Sequence, residues 1–271
     1  MVYMYNSYDS DCIYFNLNIK MSGITNYGNT CYVNSVVQML RYTKPVVKPL
    51  VCSIPTKDGK EDKPLKHFLD LLYQDSNPKK FLLELATFGF NPLLQHDAHE
   101  FFITMVDKLY ESVEIRNPFE GKYITTLTCK NGHSRSRTDS FICLSINGGI
   151  EDGVTDLIEA EEVECKCEEC EERTMMKKLD IEMSDAICFH FKRFNSDMQK
   201  LTYSIPIIEK WHNYELVGIC SHIGTMYGGH YTATVKTDSG WVVTNDESVK
   251  KIDALPKKSK LPYLMVYVRC K

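Results

Sequence analysis

One segment near the start of the chain combines a turn rich in glycine and asparagine with a cysteine and a helical pattern. The segment runs from Gly23 to Ser35 and reads GITNYGNTCYVNS. After its cysteine, Cys31, apolar residues recur at the spacing of an amphipathic helix, at Val33, Val36, Val37 and Leu40. The sequence therefore predicts that a loop ends and a helix begins at Cys31.

The predicted position of Cys31 favours a reactive thiol. The first turn of a helix carries unpaired backbone N–H groups and the positive end of the helix dipole, and both stabilise a thiolate. Asn26, five residues earlier, has a side-chain amide that could donate to an oxyanion formed beside the sulfur. The alternative is an ordinary buried cysteine after a turn, because most free cysteines are buried and inert.

A second segment supplies a base for such a cysteine. The stretch GGHYTATVKTDSGWVVTND alternates apolar and polar residues on both sides of the turn sequence DSG, a pattern that predicts a β-hairpin. The hairpin brings His230 to the same end as Asn245 and Asp246, and either residue could orient the imidazole in a Cys-His-Asn or Cys-His-Asp triad. His222 is a rival base, but it lacks both the preceding glycines and the hairpin.

Six segments, in order along the chain, resemble the characteristic segments of the ubiquitin-specific protease family of deubiquitinases. They are the cysteine segment, QHDAHEF from Gln95, HFKRF from His190, CSHIG from Cys220, the histidine segment, and YLMVYVR from Tyr263. The resemblance covers roughly residues 22–271. Because all six occur in the family's order, the chain is identified as a member of that family.

The resemblance implies a papain-like α+β fold with a helical thumb, a β-rich palm and a shortened fingers insertion at about residues 122–179. It divides the chain into a leader or edge strand, 1–21, and a catalytic domain, 22–271. The periodicity agrees, because helical patterns precede Pro118 and strand patterns follow it. The individual predictions are a strand at 13–19 and helices at 30–40, 65–73, 79–88, 97–113 and 155–164.

The resemblance also implies an activity, which is hydrolysis of the peptide or isopeptide bond after the C-terminal glycine of ubiquitin. It implies catalytic roles for Cys31, His230, Asn245, Asn26 and Asp246. It assigns the substrate tail to Gln95, Asp97, Gly228, Gly229 and Tyr231. From the residues alone, Asp97 also fits a helix N-cap and Tyr231 also fits a core position.

Two other functions are compatible with these segments. A protease for another ubiquitin-like modifier would use the same chemistry on a similar tail. A catalytically weak scaffold that binds ubiquitin would require a lost triad, whereas Cys31, His230 and Asn245 are all present. The intact triad therefore favours an enzyme, and its chemistry needs no catalytic cofactor.

Composition limits the compartment and the partners. The chain has eleven cysteines and no secretory signal pattern, which favours reduced thiols in the cytoplasm or nucleus. It has no apolar run long enough to span a membrane, and its net charge of −4 gives no support to nucleic-acid binding. We expect a monomer whose partners, as the resemblance implies, are ubiquitin and ubiquitinated proteins.

A group of cysteines in the fingers segment raises the question of a structural metal. Cys167 and Cys170 form a C-x-x-C pair, and the partner element has only Cys129, in CKNGH. The fourth zinc ligand is then either His133 or Cys165, and the alternative is a decayed zinc ribbon with reduced thiols. Zinc held there would be structural and would take no part in catalysis.

Three other histidines carry weaker signals. His96 and His99 flank Asp97, but they lack the i, i+4 spacing of two metal ligands on one helix face, so we expect local packing or capping roles. His190 lies in an apolar strand pattern, which is typical of a core histidine with a satisfied hydrogen bond.

Overall fold

A computed structural model describes residues 22–50, 53–73 and 77–270, so the predicted strand at 13–19 lies outside the described residues. The helices are α1 (Cys31–Arg41), α2 (Lys44–Leu50), α3 (Lys63–Tyr73), α4 (Lys79–Leu82), α5 (Ala98–Val113) and α6 (Ile150–Ile158). A short 3₁₀ helix, Leu85–Phe88, follows α4. Within the described parts of the chain, no helix is both long and apolar enough to cross a membrane.

Three of the predicted helices are confirmed and two differ. The helices at 30–40, 65–73 and 97–113 correspond to α1, α3 and α5. The helix at 79–88 is divided, because the chain tightens from α to 3₁₀ geometry and then ends at Gly89, which has a φ of 88°.

The helix predicted at 155–164 is wrong in position. It is α6, which begins at Ile150 after Gly149. A Cβ on Gly153 would lie 2.8 Å from the Ile146 Cβ, so this glycine lets the helix pack closely on the preceding strand. Glu161–Glu164 instead forms a strand, where Glu161 pairs with Lys177 at 2.7 Å.

Most of the remaining described elements are strands. They are β1 (Thr56–Lys57), β2 (Lys60–Glu61), β3 (Gly121–Thr128), β4 (Ser134–Phe141), β5 (Cys143–Ile146), β6 (Glu161–Glu164), β7 (Thr174–Glu182), β8 (Ala186–Phe191), β9 (Ile205–Pro206), β10 (Lys210–Trp211), β11 (Tyr214–Thr225), β12 (Gly228–Thr237), β13 (Gly240–Asn245), β14 (Ser248–Ile252), β15 (Lys258–Ser259) and β16 (Pro262–Arg269).

The largest sheet, which we call the palm sheet, has eight strands. Seven of them follow the order β14-β13-β12-β11-β16-β8-β5, and β10 pairs with β11. The pairings are antiparallel except for that of β5 with β8, which is parallel. The predicted hairpin is confirmed as β12 and β13, with Thr237 opposite Gly240.

A separate four-stranded sheet forms the fingers. Its order is β4-β3-β7-β6, and every pairing in it is antiparallel. The expected insertion at 122–179 contains most of this sheet, but β5 and α6 lie within the same range and pack with the palm. The division of the chain into 1–21 and 22–271 stays a prediction.

Helix α1 lies between the other thumb helices and the palm sheet. It packs against α3 and α5 on one side and against β11 and β12 on the other, and every one of its residues is buried. The apolar positions read from the sequence are therefore core positions, and buried area of this kind stabilises a domain by about 25 cal/mol per Å². The burial fixes Cys31, the first residue of α1, at the junction of thumb and palm.

Candidate active site

The turn before Cys31 is held by a side-chain network. The Oδ1 atom of Asn26 accepts hydrogen bonds from the Thr30 backbone N–H at 3.2 Å and from the Thr30 hydroxyl at 3.1 Å. Thr30 is also the residue that precedes α1, and its carbonyl accepts the first helical hydrogen bond, from Asn34 at 3.0 Å. The sequence thus places Cys31 at the first turn of a buried helix, and the residue is only 2 % exposed.

His230 and Asn245 form the pair that the hairpin predicts. The Nε2 atom of His230 lies 2.6 Å from the Asn245 Oδ1 atom. Because a carbonyl oxygen only accepts, Nε2 carries the proton of this hydrogen bond. In a neutral imidazole the other nitrogen, Nδ1, is then a free acceptor, as a general base must be.

Asp246 lies beside this pair but contacts different groups. Its Oδ2 atom is 3.8 Å from the His230 Nε2 atom and accepts from the Asn26 Nδ2 atom at 2.9 Å. Its Oδ1 atom accepts from the Asn34 Nδ2 atom at 2.8 Å, and its φ of 50° lies in the left-handed region. Asp246 therefore joins the turn before Cys31 to the end of β13, whereas Asn245 contacts the imidazole directly.

The backbone reinforces that connection. The Ile24 N–H donates to the Asp246 carbonyl at 2.9 Å. A Cβ on Gly23 would lie 2.2 Å from the Glu247 carbonyl oxygen, so only glycine allows the two segments to approach this closely.

Gln95 occupies a central position between the two catalytic segments. Its Oε1 atom accepts from the Gly229 N–H at 2.7 Å, and its Nε2 atom donates to the Gly229 carbonyl at 2.5 Å. The same Nε2 atom lies 3.2 Å from the Cys31 Sγ atom. Gln95 thereby links the thiol of α1 to the residue that precedes His230, which is more than the sequence indicates.

The other residues assigned to the substrate tail differ in their surroundings. Gln95, Asp97, Gly228 and Tyr231 line a groove of about 300 Å³ beside the active site. Gly229 does not line it: a Cβ on Gly229 would lie 2.3 Å from the His222 Nε2 atom. Gly229 is therefore held by internal packing, while a Cβ on Gly228 would meet only Gln95, at 3.6 Å.

Asp97 and Tyr231 also have structural roles. Asp97 caps α5, since its Oδ1 atom accepts from the backbone N–H groups of His99 at 2.6 Å and Glu100 at 3.2 Å. Its other oxygen accepts from the Tyr263 hydroxyl. Tyr231 is 6 % exposed, and burial raises the pKa of its hydroxyl.

The geometry disfavours His222 and His190 as bases. His222 is 3 % exposed, and burial together with the nearby Lys200 lowers its pKa to about 4. The Lys200 Nζ atom lies 3.1 Å from its Nδ1 atom, which must therefore accept. The Nδ1 atom of His190 is hydrogen-bonded to the Ser145 hydroxyl at 2.9 Å, and burial lowers the pKa of His190 to about 3.

A Cys₃His cluster lies in the fingers. The ligand atoms of its four residues all lie within 4.8 Å of one another: Cys129, His133, Cys167 and Cys170. The Cys129 Sγ atom is 3.8 Å from the Cys170 Sγ atom and 3.6 Å from the His133 Nδ1 atom. A tetrahedral zinc with bonds of about 2.3 Å holds sulfur atoms roughly 3.8 Å apart, so these residues fit the metal.

Cys165, the alternative fourth ligand, does not belong to this cluster. Its Sγ atom accepts from the Arg135 Nη2 atom at 3.1 Å. The inclusion of Cys165 in the ligand set is therefore corrected. A tight turn, in which Gly132 has a φ of 87°, brings His133 back beside Cys129.

One residue of the site was not singled out from the sequence. Asn34 donates to the Ile24 carbonyl at 3.2 Å as well as to Asp246. A signal for it exists, because Asn34 lies three residues after Cys31 and so on the same helix face.

The chain is similar to known proteins of one family. Residues 22–267 match the family described as "Ubiquitin carboxyl-terminal hydrolase". Ubiquitin carboxyl-terminal hydrolase 12 of Salmo salar is 25 % identical over 342 aligned positions, which cover 93 % of this chain and 91 % of the relative.

Two solved structures share the fold at lower identity. The SAGA deubiquitinating module Ubp8/Sgf11/Sus1/Sgf73 bound to monoubiquitin has a TM-score of 0.77 and 22 % identity, covering 93 % of this chain and 69 % of the matched one. The same module bound to ubiquitin aldehyde has a TM-score of 0.73 and 21 % identity, covering 93 % and 70 %. The papain-like α+β prediction is thus confirmed, and the family match over residues 22–267 shows that this chain belongs to the ubiquitin carboxyl-terminal hydrolase family.

Proposed function

We propose that this chain, a cysteine deubiquitinase by family, cleaves the bond after the C-terminal glycine of ubiquitin with Cys31 as its nucleophile. The observation that carries the assignment of roles is the 2.6 Å contact between the His230 Nε2 atom and the Asn245 Oδ1 atom. This contact leaves Nδ1 of His230 as the acceptor for the thiol proton.

The reaction follows from these roles. His230 accepts the proton of Cys31, and the thiolate attacks the carbonyl carbon of the terminal glycine. The tetrahedral intermediate collapses as the imidazolium protonates the departing amine, which leaves a thioester on Cys31. Water, activated by the same imidazole, then hydrolyses the thioester.

Asn26 is proposed as the oxyanion donor. A side-chain amide has two N–H groups, and among the described residues Nδ2 of Asn26 donates to Asp246 alone. The second N–H is then available to an oxyanion beside Cys31, together with the N–H groups at the start of α1. Asp246 serves as a positioning residue, because it fixes the amide plane through Oδ2.

The groove lined by Gln95, Asp97, Gly228 and Tyr231 is proposed to take the tail of the substrate. Its lining includes Gly228, which has no side chain, and the acidic residue Asp97. The two similar structures hold monoubiquitin and ubiquitin aldehyde, which supports ubiquitin as the modifier here.

We also propose that the Cys₃His cluster holds one structural zinc through Cys129, His133, Cys167 and Cys170. Bound zinc would tie β3 and the turn after it to the loop between β6 and β7. The metal would add folding free energy to the fingers and would provide no group for the reaction.

The eleven cysteines of the chain, without a secretory signal pattern, favour a reducing compartment. We propose a monomeric enzyme of the cytoplasm or nucleus, and size-exclusion chromatography with light scattering tests the monomer directly.

The test of the function is reaction with a panel of ubiquitin and ubiquitin-like proteins that carry a C-terminal electrophile. We expect an adduct with ubiquitin on Cys31, and no adduct with Cys31→Ala. Cys31→Ala should still bind ubiquitin, which separates lost chemistry from lost folding. Labelling at another cysteine would overturn the nucleophile, and exclusive reaction with a ubiquitin-like protein would overturn the substrate.

A further inference from the structure

A second cleft lies outside the active site and contains a cysteine. It has a volume of about 700 Å³ and lies between the C-terminal half of α5 and the ends of β4 and β5. Its lining includes Asp107, Tyr110, Phe141 and Cys143. Cys143 is 8 % exposed, so its thiol belongs to the core yet borders a space that small molecules can enter.

A second thiol lies beside Cys143. Cys143 of β5 and Cys188 of β8 are direct partners in the parallel ladder. Paired residues on neighbouring strands point to the same face and have Cα atoms about 4.8 Å apart, which lies within the range that a disulfide spans. Cys188 is 1 % exposed and is not among the residues that line the cleft, whereas Cys143 is.

An imidazole completes the cluster. His99 lies close enough to Cys143 for each group to shift the pKa of the other, and the His99 ring stacks on that of His190 with centroids 3.8 Å apart. Burial alone would raise the pKa of Cys143, but the neighbouring Cys188 and His99 outweigh it and lower the pKa to about 7. Burial lowers the pKa of His190 to about 3, so within this stack His99 is the ring that takes the proton.

The charged groups around His99 favour its protonated form. Burial opposes a charged imidazole, but the thiol of Cys143 and the carboxylates of Asp97 and Glu100 outweigh it and raise the pKa of His99. A thiolate paired with an imidazolium is the arrangement that makes a cysteine nucleophilic.

We propose that Cys143 is a second reactive thiol, which hydrogen peroxide or a comparable small electrophile reaches through the cleft, and that Cys188 resolves it to a disulfide. The thiolate of Cys143 attacks one peroxide oxygen, so that an S–O bond forms and the O–O bond breaks. The hydroxide that leaves takes a proton from His99 and becomes water.

The second step closes the bridge. The sulfur of Cys188 attacks the sulfenic sulfur of Cys143, so that an S–S bond forms and the S–O bond breaks. The departing hydroxide takes the thiol proton of Cys188. The two sulfurs together give up two electrons, and one peroxide is reduced to two waters.

Cys220 is the matched internal control. Like Cys143 and Cys188 it lies in the palm sheet, and it is fully buried. Its Sγ atom lies 3.5 Å from the Ser35 hydroxyl, and burial raises the pKa of its thiol to about 12. It does not line the cleft, so it should stay reduced under the same treatment.

The experiment uses the full chain with Cys31→Ala, so that the catalytic thiol does not react. The protein is treated with equimolar hydrogen peroxide at pH 7.5, its free thiols are blocked with N-ethylmaleimide after denaturation, and its peptides are identified by mass spectrometry. We expect a Cys143–Cys188 linked peptide that dithiothreitol removes. Full maleimide labelling of both residues would overturn the proposal.

Two further measurements keep the proposal testable if oxidation is slow. In Cys188→Ser no thiol is left to attack the sulfenic acid of Cys143, so dimedone, which reacts with sulfenic acids, should label Cys143. A lack of label would count against the reactivity of Cys143. In the folded Cys31→Ala protein, N-ethylmaleimide should modify Cys143 at least about tenfold faster than Cys220. Equal rates at the two thiols would mean that the cleft and His99 do not activate Cys143.

Discussion

Gln95 holds the backbone of Gly229 from both sides, since its amide oxygen accepts from the Gly229 N–H and its amide nitrogen donates to the Gly229 carbonyl. The same nitrogen reaches the Cys31 Sγ atom at 3.2 Å. One side chain at the entrance to α5 therefore sets the distance between the nucleophile in the thumb and the strand that carries the base in the palm.

Replacement of Gln95 by alanine should lower kcat by about 100-fold, because a small displacement of a catalytic group has an effect of that size. Gln95→Glu should be at least as damaging, since a carboxylate would face both the Gly229 carbonyl and the Cys31 thiolate. Hydrolysis of a fluorogenic ubiquitin substrate measures both variants. Gln199→Ala, at an exposed glutamine, is the matched control and should keep full activity.

An unchanged kcat in Gln95→Ala would show that the contact with Cys31 is incidental. A higher KM at the same kcat would instead assign Gln95 to substrate binding alone.

The next prediction separates Asn245 from Asp246. Asn245→Ala should reduce turnover by up to about 10⁴-fold, because the imidazole loses the group that fixes its tautomer. Asp246→Asn should have a smaller effect, about 100-fold, because it loosens the amide of Asn26 but leaves the contact of His230 with Asn245 intact. Asparagine is chosen because it tolerates the φ of 50° at this position.

Steady-state kinetics of both variants decide the order of the two effects. If Asn245→Ala is silent while Asp246→Asn is inactive, the two residues exchange roles and the carboxylate orients the base.

Much of this site could be predicted because its signals are local. The turn before Cys31, the hairpin after His230 and the cap at Asp97 each depend on residues close together in the chain. The contact of Gln95 with Gly229 joins residues 134 positions apart, and no local pattern encodes such a distance. The choice between His133 and Cys165 depended on a turn at Gly132, which the spacing of cysteines does not reveal.

The errors in the fold have a similar origin. The acidic stretch predicted as a helix at 155–164 has helical propensity, but Glu161–Glu164 instead forms a strand that pairs with β7, where Glu161 lies opposite Lys177. Tertiary pairing overrides local propensity in such cases. The start of α6 was missed although Glu151 and Asp152 lie in its first turn, because Gly153 lowers the helical propensity of this segment.

Zinc content should distinguish the two candidates for the fourth ligand. Purified without chelator, the protein and its Cys165→Ala variant should each contain about one equivalent of zinc, and His133→Ala should lose most of it. Metal analysis by mass spectrometry measures this. Less than about a tenth of an equivalent in the unmodified protein, with full activity, would mean that the cluster is a decayed ribbon.

Stability should decrease as the pH falls from about 6.5 towards 4, in part because of His222. Burial and Lys200 lower the pKa of His222 to about 4 in the folded chain, below the ordinary value of about 6.5. Between these values the unfolded chain binds a proton that the folded chain does not, so the free energy of unfolding decreases with falling pH. One such group contributes up to about 1.4 kcal/mol per pH unit within this window.

Thermal unfolding at pH 7.0 and pH 5.0 tests this linkage. His222→Gln removes the titrating group, so its Tm should fall less between the two pH values than that of the unmodified protein, even if its Tm at pH 7.0 is lower. His212→Asn is the matched control: His212 is exposed with a φ of 49°, which asparagine tolerates, so this variant should retain the full decrease. An equal decrease in His222→Gln and in the unmodified protein would show that His222 does not stay neutral in the folded chain.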